Sequence, residues 1–184
     1  VDPGVHRSSP RFGSLRTMAI YPIRRFPDPV LAMAGATITD FGEDLARLAE
    51  DMLTTMYDAP GVGLAAPQIG ISKRVFVADI GDGPFVMANP EIVDLQDTWT
   101  FDEGCLSVPG RFWPIKRPGY ARATGVGLDG QPVVFEGEEL MGRVLQHEID
   151  HLNGMLLLER LSRRTKRQAL RDLRDEALGL TVET

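Results

Sequence analysis

The chain has 184 residues, of which 43% are hydrophobic and 25% charged, and its formal net charge is -6. This size suits one domain with its own core, and the longest apolar runs are far too short to span a membrane. The negative charge argues against a DNA-binding protein, and the single cysteine, Cys105, excludes an internal disulfide. We therefore expect a cytoplasmic protein with no membrane and no DNA partner, whose one thiol is available for chemistry.

Residues 1–17 differ in composition from the rest of the chain. They are rich in Gly, Pro, Ser and Arg and have neither a helical nor a strand period. We interpret them as a disordered or expression-derived extension, and we expect residues 18–184 to form a single catalytic domain. A transit peptide is the alternative, although Asp2, Pro3 and Pro10 and the low amphipathicity argue against it.

The first half of this domain is predicted to contain one helix. Pro22, Pro27 and Pro29 predict an extended segment over 19–34. Asp40 is a plausible N-cap for a helix over 42–57, in which apolar residues recur at steps of three and four. The following stretch, 61–70, is interpreted as a tight loop whose glycines let another backbone or a ligand approach closely.

The second half is predicted to consist of strands followed by two helices. Strands are predicted over 74–80, 84–89, 91–100, 120–128 and 132–136, with a hairpin turn at Asp129-Gly130 and a loop rich in Pro and aromatic residues over 108–118. A helix over 138–153, a short strand over 155–158 and a helix from Ser162 to about 178 follow. This order predicts an α+β fold, with mostly antiparallel sheets around a buried metal-binding helix and a C-terminal helix.

The metal-binding prediction comes from the pattern His-Glu-x-x-His at residues 147–151. Four residues make slightly more than one helical turn, so His147 and His151 face the same way and can bind one divalent ion. Glu148 would then stand beside the ion, where its carboxylate can take a proton from a bound water. By themselves the two histidines could also be a satisfied polar patch on the helix.

Cys105 is the best candidate for a third ligand, although a lone cysteine is more often a small buried hydrophobe. One thiolate and two imidazoles leave a fourth position open for water, which is the arrangement of a catalytic site. The soft thiolate favours iron(II), zinc, cobalt or nickel over magnesium or calcium.

Three segments together resemble the signature of the bacterial peptide deformylases: residues 61–68 (GVGLAAPQ), 103–107 (EGCLS) and 146–151 (QHEIDH). The resemblance runs from about Met18 to the last helix. It implies a metal-dependent hydrolase that removes the N-formyl group from the formyl-methionine of newly synthesised polypeptides and releases formate. It also implies that Cys105, His147 and His151 bind one metal ion per chain, iron(II) in the cell, with zinc, nickel or cobalt suiting the same ligands in the purified protein.

The same resemblance implies roles for the other residues of the site. Glu148 would act as general base and then as acid, while the Gln68 amide and the backbone N–H of Leu106 would stabilise the oxyanion. By residue type, Glu103 and Asp150 are candidates to anchor the imidazoles, although Asp150 could equally be a solvent-facing helix residue, and Glu103 is predicted to pair with Arg117. The predicted substrate-binding residues, which include an apolar pocket for methionine, are Val62, Gly63, Phe101, Glu103, Leu140 and Val144.

Two features depart from the common pattern of that family. Arg143 stands where many members carry an aliphatic residue, and we expect its stem to line the apolar pocket while its charged head reaches water. The segment 110–114 also differs from the best-known members, which leaves peptide selectivity beyond methionine open.

The last predicted helix carries most of the positive charge. Seven basic residues lie between Arg160 and Arg174, and Asp172 is the one acidic residue among them. In one interpretation they form a solvated face opposite Leu170, Leu173 and Ala177, which pack on the domain. In the other, the helix docks on the ribosome through its RNA.

Two further functions fit parts of the sequence. A zinc endopeptidase shares the His-Glu-x-x-His pattern, but it has no need for the Cys105 thiolate. A metal- or redox-sensing module would need neither Glu148 nor Gln68.

Overall fold

A computed structural model of the protein describes residues 18–180, and the predicted extension at 1–17 lies outside this range. Three α-helices occur in it: α1 (Glu43–Asp58), α2 (Glu139–Leu152) and α3 (Arg163–Ala177). The seven strands of the same range are β1 (Gly63–Ala65), β2 (Val75–Ala78), β3 (Phe85–Gln96), β4 (Trp99–Cys105), β5 (Val108–Arg117), β6 (Tyr120–Val126) and β7 (Pro132–Glu138). None of the helices in residues 18–180 is long and apolar enough to cross a bilayer.

The strands form two separate antiparallel sheets. Five strands pair in the order β1-β2-β3-β6-β7, and β4 pairs with β5 in a two-stranded ribbon. The β6–β7 hairpin turns at the predicted Asp129-Gly130, where Gly130 has a φ of 76°. The predicted α+β fold with antiparallel sheets is therefore confirmed.

Helix α1 packs on one end of the larger sheet through the predicted apolar stripe. Leu45, Leu48 and Met52 are buried in a cluster that also contains Leu64 of β1 and Val77 of β2. The prediction of Asp40 as the N-cap was wrong by two residues, because the cap residue is Gly42. The Asp40 carboxylate instead accepts a hydrogen bond from the Gly42 N–H at 3.0 Å, which shapes the turn before the helix.

Helix α2 lies against the same sheet with ten of its fourteen residues buried. Val144, Leu145 and Ile149 pack there among alanines, Phe76 and Met87. The close contact requires Gly142, because a Cβ at this position would lie 2.8 Å from the Gly137 carbonyl oxygen and 2.9 Å from that of Gly119. The helix is thus held at one depth on the sheet, which fixes where its polar side chains point.

Three local predictions were wrong. The predicted loop over 108–118 is strand β5, which pairs with β4. Its prolines have no N–H to donate, but the residues between them pair with β4 and keep the segment extended. The predicted strands 84–89 and 91–100 are wrong in their bounds, because residues 85–96 form one strand, which passes Pro90 with a register shift between Ala88 and Glu91, and the next strand begins at Trp99. The predicted strand over 155–158 is absent from the described structure, and a 3₁₀ turn spans Leu157–Arg160 instead.

Helix α3 begins at the predicted cap, because the Ser162 hydroxyl accepts a hydrogen bond from the Thr165 N–H at 3.2 Å. Ala169, Leu170 and Leu173 pack in a third apolar cluster with Val108 of β5. The predicted packing of the apolar side is therefore confirmed for the leucines. Ala177, in contrast, is exposed.

Candidate functional site

Three potential metal donors from two elements meet at the end of α2. Cys105 is the last residue of β4, and His147 and His151 lie one turn apart on α2. The Cys105 Sγ is 3.2 Å from the His151 Nε2, which is itself 3.2 Å from the His147 Nε2. One ligand atom from each residue lies within 4.8 Å of the other two, so one ion can reach all three.

The donor set fits a divalent transition metal. Donor-to-metal lengths of about 2.0 to 2.3 Å in a tetrahedron place neighbouring donors roughly 3.3 to 3.6 Å apart, close to the two separations of 3.2 Å. Burial alone would raise the pKa of the Cys105 thiol, but the positive charge of His151 and hydrogen bonds from both rings hold that pKa well below its usual value. The sulfur is thus favoured as a thiolate, the form that binds metals.

Glu103 anchors the His147 ring. Its Oε1 lies 2.7 Å from the His147 Nδ1, so this nitrogen carries the proton and Nε2 is free to bind a metal. Burial would raise the pKa of Glu103, but hydrogen bonds from His147 and Arg117 outweigh it and hold the pKa well below its usual value. The carboxylate therefore stays ionised and keeps the ring oriented.

The two predicted anchors differ in outcome. The predicted Glu103–Arg117 pair is present, with the Arg117 Nη2 at 2.8 Å from the Glu103 Oε1. Asp150, by contrast, binds Arg117 at 2.7 Å and also pairs with Arg160, and it contacts neither imidazole. Within residues 18–180, the buried His151 Nδ1 has no hydrogen-bond partner.

The prediction that the Arg143 head reaches water was wrong. The residue is 3% exposed, and its guanidinium binds Glu103 at 2.7 Å and two backbone carbonyl oxygens. The sequence reasoning missed this because a charged group next to an apolar pocket is normally expected to extend into solvent. Glu103 provided the signal, since a buried carboxylate needs cationic partners.

Glu148 lies beside the three donors with its carboxylate directed towards β1. A Cβ added at Gly63 would be 2.3 Å from the Glu148 Oε1, so the acid occupies the space that the glycine leaves. Its Oε2 is buried and has no hydrogen-bond partner among the described residues. Burial raises the pKa of Glu148 to about 7, which suits a group that both accepts and returns a proton near neutral pH.

Gln68 approaches the donors from the turn that follows β1. The predicted loop over 61–70 contains strand β1 and a 3₁₀ turn, Ala66–Ile69, that carries this glutamine. The Gln68 Oε1 accepts a hydrogen bond from the Ala65 N–H at 2.8 Å. Its Nε2 consequently faces the site, 3.7 Å from the Cys105 Sγ and 3.2 Å from the Ser107 hydroxyl.

A cavity of about 500 Å³ opens beside these groups. Its lining includes His147, Cys105, Glu148, Gln68 and Leu106, together with all six predicted substrate-binding residues, Val62, Gly63, Phe101, Glu103, Leu140 and Val144. His151 is 1% exposed and stands behind the others.

Three residues at the site were not singled out from the sequence. Ser107 accepts the Gln68 hydrogen bond, and its backbone N–H is 3.4 Å from the Cys105 Sγ. Phe112 and Arg111 line the cavity from β5. The Phe112 ring covers Gly104, where a Cβ would be 2.5 Å from the ring. The interpretation of 108–118 as a loop hid both β5 residues.

Comparisons with known proteins agree with this geometry. The chain is 46% identical over 166 residues to the peptide deformylase of Acidothermus cellulolyticus, which covers 90% of this chain and 92% of that protein. A crystal structure of a peptide deformylase from Legionella pneumophila superposes with a TM-score of 0.81 at 40% identity, over 89% of this chain and 100% of that one. A Met-Ala-Ser-bound structure of the Acinetobacter baumannii peptide deformylase matches 79% of this chain and all of its own, with a TM-score of 0.75 and 31% identity.

The family model described as polypeptide deformylase matches residues 20–167, a range that includes all three metal donors and Gln68. The chain therefore belongs to the polypeptide deformylase family.

Proposed function

We propose that the protein removes the formyl group from the N-terminal formyl-methionine of nascent polypeptides, giving formate and a free amine. One observation carries this proposal: Cys105 and His147, two of the three clustered metal donors, line one cavity together with Glu148 and Gln68, and the third donor, His151, is buried behind them. Family membership supports the same reaction, and a relative with 31% identity has been crystallised with Met-Ala-Ser, a peptide that starts with methionine.

The metal ion would be held by Cys105, His147 and His151. When bound, a divalent ion supplies a nucleophile at neutral pH, because it lowers the pKa of its water from about 16 towards 7. Thiolate and imidazole ligands suit iron(II), zinc, cobalt and nickel. We propose iron(II) in the cell, which metal analysis of anaerobically purified protein, paired with activity measurements, would test.

The protein groups would move the proton and hold the charge. Glu148, with a raised pKa of about 7, accepts the proton of the attacking water and gives it to the departing amine nitrogen. The Gln68 amide and the Leu106 N–H donate to the carbonyl oxygen as it becomes negative. Each such donor is typically worth about 3 to 4 kcal/mol in the transition state.

The substrate would bind along β1, with its methionine side chain in the cavity. The apolar side chains of Val62, Phe101, Leu140 and Val144 line that space, and Gly63 lines it next to Glu148 with no side chain of its own. A formyl group, the smallest acyl group, would fit beside the Glu148 carboxylate, which an acyl group with a longer chain would meet. This proposal predicts that formyl-methionine peptides react much faster than their acetyl analogues.

Formate release from formyl-Met-Ala tests the proposal directly. We expect release by the metal-loaded protein and a loss of at least a hundredfold for Glu148→Gln, since general acid–base catalysis contributes about 10² to 10⁴ in rate. Glu139→Gln, at the exposed start of the same helix, is the matched control and should retain the activity. Cleavage of an unmodified internal peptide, with no formate release, would indicate the endopeptidase instead.

We also propose that the enzyme acts in the cytoplasm and docks on the ribosome through α3. The exposed side chains of Arg163, Arg167 and Arg171 leave a basic face opposite the buried Ala169. Reversing these three charges should abolish co-sedimentation with ribosomes at low salt. The control variant reverses Arg47 and Arg122, which are half-exposed elsewhere on the surface, and should sediment like the parent.

A further inference from the structure

Arg143 is a buried cation directly behind the residue that anchors His147. It lies one turn before His147 on α2, so both side chains point to Glu103. A buried charge costs desolvation free energy that an aliphatic side chain would avoid, unless it is fully paired. The contacts of this guanidinium therefore indicate what its charge is used for.

Glu103 is held by three side chains at once. Arg117 grips both of its oxygens, with the Nε at 2.9 Å from Oε2 and the Nη2 at 2.8 Å from Oε1. Arg143 donates through Nη1 to Oε2 at 2.7 Å, and the His147 Nδ1 lies 2.7 Å from Oε1. With both arginines in place, the carboxylate has no freedom to turn its Oε1 away from the imidazole.

Arg143 also ties this carboxylate to the backbone of the β4–β5 ribbon. Its Nη1 donates to the Ile115 carbonyl oxygen at 3.2 Å, and its Nη2 donates to that of Trp99 at 2.9 Å. The guanidinium carbon lies 4.8 Å from the centre of the Trp99 ring and 5.8 Å from that of Phe101. A planar, weakly hydrated guanidinium can make all these contacts together, whereas a lysine ammonium cannot.

We propose that Arg143 is a positioning residue of the metal centre, which orients Glu103 so that the His147 ring keeps Nδ1 protonated and Nε2 directed at Cys105 and His151. The inference rests on the metal centre proposed above and adds a residue to its support. Arg117 binds Glu103 from β5 and reaches α2 through Asp150, on the turn after His147. Arg143 binds Glu103 directly from α2, one turn before His147, so the carboxylate is held by the helix that carries both histidines.

Metal affinity provides the first test. Cobalt(II) binding is measured by competition with a chelator for the parent, for Arg143→Met and for Arg143→Lys, and thermal unfolding verifies that each variant is folded. Loss of an outer partner of a metal ligand typically weakens binding about tenfold to a hundredfold, and we expect Arg143→Met near the lower end of that range. Arg143→Lys should recover part of the affinity, because it restores the charge and one hydrogen bond.

Arg74 offers the matched control. Its guanidinium also binds the end of α2, through the Leu152 carbonyl oxygen at 3.2 Å, and the Pro90 carbonyl oxygen at 3.1 Å. Arg74→Met should therefore remove a comparable structural contact and leave cobalt affinity unchanged. Equal losses in Arg74→Met and Arg143→Met would overturn the inference, because they would show a general effect of loosening α2.

The state of the His147 ring provides the second test. Nitrogen NMR of the zinc-loaded parent should show one tautomer of His147, protonated at Nδ1, and Arg143→Met should show exchange broadening or a faster exchange of that proton. A variant that keeps both the parent affinity and the parent His147 spectrum would overturn the role of Arg143 while leaving the metal centre intact. A parent that does not bind cobalt would overturn the centre and this inference together. If Arg143→Met does not fold, Arg143→Lys against Arg74→Lys decides the question, and equal affinities would reject it.

Discussion

Helices α2 and α3 have similar lengths and both carry charged residues, but α2 is mostly buried and α3 is mostly exposed to solvent. Ten of the fourteen residues of α2 are buried, whereas Ala169 is the one residue of fifteen buried on α3. Arg143, Glu148 and Asp150 of α2 are turned inward, while Arg163 and Arg167 of α3 are exposed. Arg143 and Asp150 of α2 are fixed by internal partners and set the geometry of the site, whereas Arg163 and Arg167 of α3 face solvent.

The largest effect should come from removing the cation that neutralises the inward side of α2. Arg117→Met leaves Glu103 and Asp150 short of a buried partner, and breaking such a pair typically costs about 3 to 5 kcal/mol in the free energy of unfolding. Urea unfolding at one saturating zinc concentration measures it, because bound metal adds to the apparent stability.

The control for Arg117 is an ion pair of the same type in water. Arg122 and Glu136 pair at 3.1 Å with both side chains about half exposed, so Arg122→Met should cost at most about 1 kcal/mol. Similar losses in the two variants would contradict the distinction between buried and exposed charge.

A smaller loss is expected where α2 touches the sheet. Gly142→Ala would bring a Cβ within 2.8 Å of the Gly137 carbonyl oxygen, and overpacking of this kind typically costs about 1 to 3 kcal/mol. Gly119→Ala is the control, since the nearest atom to its Cβ is at 3.5 Å. A stabilised Gly142→Ala variant would mean that α2 can shift outward, contrary to the single depth inferred here.

Loss of the α3 cap should have a local effect. Ser162→Ala removes the hydrogen bond to the Thr165 N–H, and the expected cost is about 1 kcal/mol. Because α3 contacts the rest of the domain mainly through one cluster, hydrogen exchange should accelerate in its first turn and remain unchanged in α2. Equal acceleration in both helices would show that they unfold together.

The smallest effect is expected on the outer face of α3. The Arg167 Nε contacts the Arg163 carbonyl oxygen of its own helix at 3.3 Å, so Arg167→Gln should change the free energy of unfolding by no more than about 0.5 kcal/mol. The same urea titration measures it. A loss above about 1 kcal/mol would mean that this charge has a structural role, and the contrast between the helices would fail.

Strong local patterns were sufficient for most of the fold. The stripe of α1, the hairpin turn at Asp129-Gly130 and the Ser162 cap each depend on neighbours in sequence, and all three were predicted from them. Strand β5 was missed because Pro109, Pro114 and its aromatic residues favour a loop locally. Its strand geometry comes from pairing with β4, a tertiary contact that overrides propensity.

In the candidate site, too, local features could be predicted from the sequence pattern, and features that depend on tertiary contacts could not be predicted from that pattern alone. The one-turn spacing of His147 and His151 follows from helical geometry, whereas the meeting with Cys105 was inferred from chemistry and family resemblance. The placement of Arg143 could not be predicted from its neighbours in sequence. It depends on Glu103, 40 residues earlier, and on two carbonyl groups of the ribbon.

The contact between Gly63 and Glu148 restricts how this protein could acquire drug resistance. An inhibitor seated in the cavity would lie against Gly63 and Glu148, and one way to exclude it would be a bulkier side chain at the point of contact. Here any side chain at position 63 would collide with the Glu148 carboxylate, since even a Cβ would be 2.3 Å from its Oε1. Escape would therefore have to arise at a neighbour such as Val62, which is 45% exposed and has room to change.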